Sequence, residues 1–465
     1  MASPPKAVGK RVYDVAVIGP DVGGAAAAAL LTKRGLRVLL APMSQPSVAR
    51  ESEGFLLPAS HPMIPPLRQL SGAASALDEL GLSQELLRQA ATTQGAFQLL
   101  GEKLRLSLPA DLNRRRLELR RELPEAEAAL AETALDSLER LGRPWDPFLI
   151  EPPPLPARGF FERRRLRKML PVPPELPGGL VGDCLHALAP FAASLSGDSA
   201  PEATAREASA LFRAPLRLWG GAAQLAELLR KKAQEAGADM IPDRVSALRL
   251  ERKGAQFDLG GGEVHVSTVV LACDGKAIEG LCQGGGRTER KLAEEAALPL
   301  ARKVVLAHFV VRGEGLPLAL EEAALLLGNV HGPLVISSLP ARRSRGDASG
   351  ERLLTVARVV ETDFFDGASL LAQVRAALEP VLPFFERHII HQSADLEPLH
   401  SAPILKPADD GEPIGLRPLS DTHGRVLFAS AAVYPGFGLE GAILGARAAA
   451  DQALLLSGRK SVSAV

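Results

Sequence analysis

The sequence has few cysteines, few aromatic residues and no long apolar run. Only three of its 465 residues are cysteines, and aromatic side chains make up 4% of the chain. The three are Cys184, Cys273 and Cys282, and no two of them form a Cys-x-x-Cys pair. Three cysteines cannot make a disulfide framework, so the sequence predicts a reducing compartment. No run approaches the roughly 18 apolar residues that a membrane-spanning helix needs. Residues 1–9 also lack the apolar core of a signal peptide, so we expect a cytoplasmic protein.

The sequence also lacks an excess of charge of either sign. It contains 54 Lys and Arg residues and 54 Asp and Glu residues, which gives a formal net charge of zero. A balanced chain has no overall attraction to the phosphates of nucleic acid, so no nucleic-acid partner is expected. The chain is long and 46% hydrophobic, which predicts a large core and two linked domains.

The stretch from Val12 to Pro42 has the pattern of a βαβ unit. Tyr13–Ile18 is a β-rich apolar run, residues 19–24 form a glycine turn, and residues 25–34 are rich in alanine. A second apolar run follows at residues 37–40. A strand, a tight turn, a helix and a parallel strand in this order predict the first unit of a dinucleotide-binding fold.

Three later pieces complete a family resemblance. They are an extended piece after Gly54-Phe55, a helix opened by Trp219-Gly220-Gly221 and followed by a β-meander, and a glycine turn with an Ala-rich helix between Phe428 and Arg447. In order and spacing, the four pieces resemble the phytoene desaturase-like branch of the FAD-dependent oxidoreductase and amine oxidase superfamily. That wider group includes the Rab GDP-dissociation inhibitors.

The resemblance implies an α/β fold with two interleaved domains. A Rossmann-type FAD/NAD(P)-binding domain, with a central parallel sheet and a β-meander, would gather residues 1–61, 212–286 and 399–465. A discontinuous α+β substrate domain would gather residues 62–211 and 287–398. Within the substrate domain, residues 116–141 have strong helical composition.

The resemblance also implies a set of cofactor-binding residues. Gly19 would allow the sharp turn and Gly24 the close packing of helix on strand. Val245 matches a strand position whose backbone contacts the adenine in relatives. The complete set predicted to bind the cofactor is Gly19, Asp21, Gly23, Gly24, Val245, Gly436, Gly438 and Gly441.

Two positions oppose the FAD that the resemblance implies. Asp21 replaces the middle glycine of the turn, and its carboxylate would repel a diphosphate by about 4 kcal/mol per charge pair at about 4 Å and an effective dielectric of about 20. It would also cap the helix and occupy the amides that hold a phosphate. Ala41-Pro42 replaces the acidic residue that binds the ribose. Smaller departures occur at Ser44–Ser47, Pro58–Ser60 and Ser430.

Two interpretations of function therefore stay open. One is a divergent oxidoreductase-like protein with weak or lost flavin binding, a pseudoenzyme kept as a scaffold for a lipid, a prenyl group or a protein. The other is an active flavin-dependent desaturase or isomerase that acts on an isoprenoid or lipid-like substrate by hydride transfer. Both predict an apolar small molecule or lipid as ligand, and neither identifies catalytic residues.

Residues 159–170, Gly-Phe-Phe-Glu-Arg-Arg-Arg-Leu-Arg-Lys-Met-Leu, form a basic island among prolines. One interpretation is a solvated basic helix face. The other is a peripheral membrane helix, in which Phe160, Phe161, Met169 and Leu170 dip into the lipid while the cations meet anionic headgroups.

His388 and His391 are three residues apart and would share one face of a helix. No third ligand at helical spacing completes a metal site, so no metal is predicted.

Overall fold

A mainly parallel sheet and a mainly antiparallel sheet organise the chain. The computed structural model describes residues 13–19, 21–42, 47–92, 97–153, 157, 159–169, 176–193, 201–241, 244–259, 262–298, 300–361, 366–396, 404–405 and 415–459. Together the sheets and their helices confirm the predicted α/β class with a Rossmann-type domain and a second, α+β domain. The exact domain bounds stay a prediction.

The helices of the described residues are α1 (Val22–Lys33), α2 (Ser71–Glu79), α3 (Ser83–Gln89), α4 (Leu112–Glu122), α5 (Glu125–Gly142), α6 (Asp146–Ile150), α7 (Gly159–Met169), α8 (Gly179–Ala193), α9 (Pro201–Arg213), α10 (Gly221–Glu235), α11 (Gly275–Cys282), α12 (Arg287–Ala296), α13 (Gly367–Leu378) and α14 (Gly438–Leu456). The strands are β1 (Tyr13–Ile18), β2 (Val38–Ala41), β3 (Ala49–Ser52), β4 (Phe55–Pro58), β5 (Met63–Ile64), β6 (Ala91–Thr92), β7 (Gln98–Gly101), β8 (Leu104–Leu106), β9 (Leu216–Arg217), β10 (Asp239–Met240), β11 (Val245–Glu251), β12 (Gly254–Leu259), β13 (Gly262–Leu271), β14 (Leu300–Arg312), β15 (Ala323–Leu326), β16 (Leu334–Pro340), β17 (Glu351–Glu361), β18 (Ile389–Leu396), β19 (Ile404–Leu405) and β20 (Val426–Phe428).

The first sheet has the strand order β10-β2-β1-β13-β12-β11, with β20 also paired to β13. β10, β2, β1, β13 and β20 run parallel, whereas β11, β12 and β13 form an antiparallel meander. Ile18 pairs with Ala41 on one side and with Leu271 on the other. The carboxyl ends of these three strands therefore lie at one edge, where ligands bind in open α/β sheets.

Helix α1 lies against this sheet and contacts both α10 and α14. Its alanines from Ala25 to Ala29 are fully buried. Small side chains let three helices and a sheet approach closely, which explains why the helix is apolar on all faces rather than amphipathic.

The second sheet has the order β18-β14-β17-β16-β15-β7-β8, with β19 paired to β14. One face packs against α13 through Val305, Phe309 and Phe385. The alternating residues Leu306 and Val310 point to the opposite face. Helices α5, α8 and α9 cover part of that second face.

The helical composition of residues 116–141 corresponds to two helices rather than one. The structure has α4 and α5 there, separated at Leu123 and Pro124. Leu123 adopts an extended conformation, as expected for a residue before proline.

The β3–β4 hairpin crosses from the first sheet toward the second and contacts the loop between β16 and β17. The amide of Leu56 donates to the carbonyl of Arg342 at 2.9 Å, and the amide of Ser344 donates to the carbonyl of Gly54 at 2.9 Å. The Arg343 guanidinium lies 4.3 Å from the centre of the Phe55 ring. Backbone hydrogen bonds and a cation–π contact therefore join the two units.

Replacing Gly23 by alanine tests the close packing of α1. A Cβ atom there would lie within 3.0 Å of the Ala429 carbonyl oxygen, so we expect the free energy of unfolding to fall by about 2–3 kcal/mol. Gly280→Ala is the matched control, since a Cβ on this exposed helical glycine meets open space and alanine favours a helix by about 1 kcal/mol. Urea unfolding measures both variants, and an equal effect would contradict the packing argument.

Candidate functional site

The turn between β1 and α1 brings three strand ends together. Gly19 has φ +127°, and a Cβ atom on it would overlap the carbonyl of Ala272 after β13. Gly23 meets the carbonyl of Ala429 after β20 in the same way. A Cβ on Gly24 would overlap the carbonyl of Gly19. The three predicted glycines thus occupy positions where a side chain does not fit.

Asp21 is the N-cap residue of α1. Its backbone is extended, and its Oδ1 accepts a hydrogen bond of 2.7 Å from the amide of Gly24. The first amides of a helix are the donors that hold a phosphate in a dinucleotide-binding turn. In this chain a carboxylate of the protein itself accepts from one of them.

Burial raises the pKa of Asp21 to about 7, and it outweighs the hydrogen bonds from Gly24 and Gly23, which lower that pKa. The half-buried side chain lies in a recess, so protein atoms surround it although part of its surface stays accessible. Asp274 adds a smaller repulsion in the same direction. Asp274 is itself the N-cap of α11 and accepts from the amide of Ala277 at 2.8 Å. Two N-cap carboxylates therefore share this edge of the sheet.

The end of β2 has no ribose-binding carboxylate among the described residues. Ala41 is fully buried and pairs with Ile18, and Pro42 follows it. The next acid, Glu51, lies on β3 and accepts a hydrogen bond of 2.7 Å from the Ser344 hydroxyl. The departure predicted at Ser44–Ser47 falls mostly outside the described residues, because residues 43–46 are not described.

Val245 begins β11 and is buried in the same apolar cluster as Ala41. Its predicted contact with an adenine stays a prediction. No described contact shows a function for its backbone beyond pairing with Leu259.

The C-terminal glycine turn is built by close contacts as well. Gly436 and Gly438 have φ +91° and +45°. A Cβ on Gly438 would overlap the carbonyl of Ala192 at the end of α8, and one on Gly441 would overlap the carbonyl of Tyr434. Ser430, which replaces a glycine of the family, has φ −139°, an extended conformation open to any residue.

A buried charge network follows this turn and was missed by the sequence analysis. Glu440, in the first turn of α14, is fully buried and forms an ion pair with Arg206 of α9. It also accepts a hydrogen bond of 2.7 Å from the amide of Gly72 at the start of α2. Arg206 pairs with Glu207 at 2.5 Å and with Asp146 at 3.2 Å. Burial raises the pKa of Glu207 well above its ordinary value, against the attraction of Arg206.

A polar row crosses the second sheet on the face turned away from α13. Ser337, Thr355, His308 and Ser393 are directly opposed on β16, β17, β14 and β18. His308 Nδ1 lies 3.2 Å from the Thr355 hydroxyl, and both residues are buried. The sequence signal for the row was one polar residue inside the apolar strand β14, but its partners follow only from strand register.

The β3–β4 hairpin and the segment after it lie against the polar row. Arg50 Nε donates to Asp395 at 2.7 Å, and its Nη2 donates to the Ser393 hydroxyl at 2.5 Å. His391 Nδ1 lies 3.2 Å from Glu53. The hairpin thus brings charge to the edge of the row, where Asp395 lies 3.9 Å from His308 Nε2.

Two histidines near the row are neutral at neutral pH. Burial lowers the pKa of His308 to about 3, and the charge of Arg50 lowers it further. Burial also lowers the pKa of His61 to about 4, although hydrogen bonds with backbone groups of Thr355 and Val335 act to raise it. The buried hydroxyls of Ser60 and Ser337 have no hydrogen-bond partner among the described residues. The interior between the units therefore holds uncharged polar groups.

The helix face predicted for His388 and His391 does not form. His388 ends a 3₁₀ turn and His391 lies on β18, so the two share no helix face. Within the described ranges, no group of three or more His, Cys, Asp or Glu residues is placed to hold a metal ion. The described helices also include none that is long and apolar enough to cross a bilayer.

Comparison with solved structures identifies the fold. Cyclohexylamine oxidase from Brevibacterium oxydans IH-35A is 14% identical, with a TM-score of 0.59 over 96% of this chain and 100% of that chain. Wild-type putrescine oxidase bound to putrescine is 15% identical, with a TM-score of 0.54 over 95% and 99%. The PF1083 protein from Pyrococcus furiosus is 15% identical, with a TM-score of 0.57 over 97% and 98%.

The chain has the fold of the amine oxidase-like flavin oxidoreductases. No protein-family model and no curated protein matches its sequence. At these identities the likeness shows the fold alone, and the superfamily and its desaturase-like branch stay predictions.

The residues present fit FAD only in part. The glycines at positions 19, 23 and 24 keep the backbone of the turn free of side chains. Asp21, however, accepts from the amide of Gly24, and Ala41-Pro42 provides no side-chain acceptor for a ribose hydroxyl. A diphosphate would thus meet an amide that already has an acceptor, and a ribose would meet no carboxylate at the end of β2.

Asp21→Asn tests the buried carboxylate through stability. The pKa of Asp21 is higher in the folded chain than in the unfolded chain. Asp21 therefore ionises at lower pH in the unfolded chain, and the free energy of unfolding decreases as pH rises from about 4 to about 7. Asparagine keeps the cap without the charge. We expect the variant to gain about 1–3 kcal/mol more at pH 8 than at pH 5, by urea unfolding. Asp111→Asn, at the exposed N-cap of α4, is the control, and an equal pH effect there would contradict the burial argument.

Proposed function

We propose that this chain is a divergent member of the flavin oxidoreductase superfamily with weak or lost flavin binding. The observation that carries the proposal is the 2.7 Å hydrogen bond from the amide of Gly24 to Asp21. A diphosphate would have to displace a carboxylate that already satisfies this amide, and would meet its negative charge. Asp274, the second N-cap carboxylate at this edge, adds to the repulsion.

The ligand class that we propose is an apolar small molecule or a lipid. The desaturase-like resemblance implies this class, and the uncharged polar groups at His61 and His308 are consistent with a ligand that carries no strong charge. In this proposal the protein acts as a lipid- or prenyl-binding scaffold without redox chemistry.

The second candidate is an active flavin-dependent desaturase or isomerase. The observation that favours it is the retention of the tight glycine contacts at Gly19, Gly24, Gly438 and Gly441. These contacts also support the fold itself, so they do not require a flavin. Flavin binding by the purified protein decides between the two candidates.

The purified protein is expected to be colourless after desalting and to bind added FAD weakly by calorimetry. Asp21→Asn removes the charge and keeps the acceptor, whereas Asp21→Gly removes both. We therefore expect FAD affinity to increase from wild type to Asp21→Asn to Asp21→Gly, by at least about tenfold overall. A yellow wild-type protein that retains flavin through desalting would establish the second candidate instead.

We also propose that α7 contacts membrane surfaces. Phe160 and Phe161 are 71% and 84% exposed, and Arg163, Arg164 and Lys168 are exposed on the same helix. Met169, predicted to dip with them, is half-buried and packs against the protein core instead. Leu170 lies outside the described residues. The apolar part of the surface is therefore the phenylalanine pair at the start of α7, with the cations beside it.

Flotation with liposomes tests this contact. The wild-type chain should float with vesicles that contain anionic lipid and much less with neutral vesicles, because the cations need a negative surface. Phe160→Ser/Phe161→Ser and Arg164→Glu/Arg165→Glu should each abolish flotation. Leu318→Ser is the control, since Leu318 is fully exposed outside α7. Unchanged flotation of both double variants would show that the basic face is merely solvated.

A further inference from the structure

A cavity of about 510 Å³ lies between α8, α13 and the end of β17. None of its lining residues belongs to the glycine turn, the buried charge network or the polar row. Its volume falls in the range of about 300–1,000 Å³ that is usual for small-molecule sites. The residues that line it are His186, Ala187, Pro190, Val305, Gly332, Pro333, Arg358, Val359, Val360, Asp366, Ser369, Leu370 and Gln373.

The register of the second sheet creates this cavity. β16 pairs with β17 only from Val335, opposite Ala357, so residues 358–361 of β17 extend past the last β16 pair. β17 remains paired with β14 on its other side, with Arg358 opposite Val305. The space that another strand residue would fill is left open. Its walls are mainly valine, proline, alanine and leucine side chains.

Arg358 is the one arginine of this lining and has no acidic partner in the described structure. Its guanidinium donates a hydrogen bond to the side-chain oxygen of Gln373, and its Nε is buried without a hydrogen-bond partner. Burial lowers the pKa of Arg358. The half-buried Arg358 guanidinium therefore has no anion beside it among the described residues, and a partly desolvated cation gains from pairing with one.

The acid in the lining is already engaged. Asp366 is the N-cap of α13 and accepts a hydrogen bond of 3.1 Å from the amide of Ala368. It forms no ion pair with Arg358. Gln373 also donates a hydrogen bond of 3.1 Å from its side-chain amide to the Ser369 hydroxyl. Arg358, Gln373 and Ser369 thus lie together as one polar group of the lining, whose other polar side chains are His186 and Asp366.

We propose that this cavity binds a fatty-acid-like monocarboxylate. The carboxylate accepts hydrogen bonds from the Arg358 guanidinium, and the acyl chain lies along the valine and proline wall. A carboxylate supplies the anion that the arginine lacks, and an acyl chain matches the apolar wall. The site is separate from the glycine turn, so this inference does not depend on whether flavin is bound.

Calorimetry with decanoate, below its micellar concentration, tests the site on the full-length protein. We expect saturable binding of one decanoate per chain and at least about tenfold weaker binding of the neutral 1-decanol, because the alcohol cannot pair with the guanidinium. Arg358→Gln should weaken decanoate binding by a similar factor. Arg312→Gln, at the opposite end of the sheet and exposed, should leave it unchanged.

Two further variants keep the test decisive. Ser369→Trp fills the cavity without touching the charge and should abolish decanoate binding, and circular dichroism verifies its folding. The Phe160→Ser/Phe161→Ser variant should bind decanoate with wild-type affinity, which distinguishes this site from the α7 surface. Absence of saturable binding, equal affinity of wild type and Arg358→Gln, or full binding by a folded Ser369→Trp would each overturn the proposal.

Discussion

An ion pair sealed from solvent, between Arg206 and Glu440, holds the functional edge of the first sheet in place. Glu440 belongs to the first turn of α14, and α14 packs along α1, which follows the glycine turn. The same carboxylate accepts from the amides of Gly72 and Ala73 in α2. Loss of one partner from a buried pair costs about 3–5 kcal/mol, because the other charge stays behind. The geometry of the turn therefore depends on charges contributed by helices far apart in the sequence.

Carboxylates accept from free amides at several helix N-termini of the described structure. Asp21 caps α1, Asp274 caps α11, and Glu440 accepts from the first amides of α2. Each carboxylate meets the positive end of a helix dipole and satisfies an amide that has no partner in the helix. In a dinucleotide-binding protein, the donors at the first of these ends serve the ligand. Here the Asp21 carboxylate accepts a hydrogen bond from one of them, the amide of Gly24, which is the physical basis for proposing a retained fold with weakened cofactor binding.

The fold was predictable because its markers are local, whereas much of the site depends on register. The glycine turn at residues 19–24 and the alanines of α1 reveal a βαβ unit from sequence alone. Pro124 also carried a local signal, a helix break, which the helical composition around it obscured. The polar row through His308 had no such signal, because Thr355 and Ser393 become its neighbours only through pairing of distant strands. Glu440 was equally hidden, since its partner Arg206 lies 234 residues away.

The docked β3–β4 hairpin has a consequence for how molecules reach the interior. Its hydrogen bonds to the loop after β16 cross between the two units through backbone atoms, at Leu56 and Ser344. A joint of this kind resists opening as a hinge, because separation would break backbone hydrogen bonds and the ring contact of Phe55 together. Passage to the buried histidines would then proceed by brief side-chain and loop displacements, on nanosecond to microsecond timescales, rather than by slow closure of one domain on another.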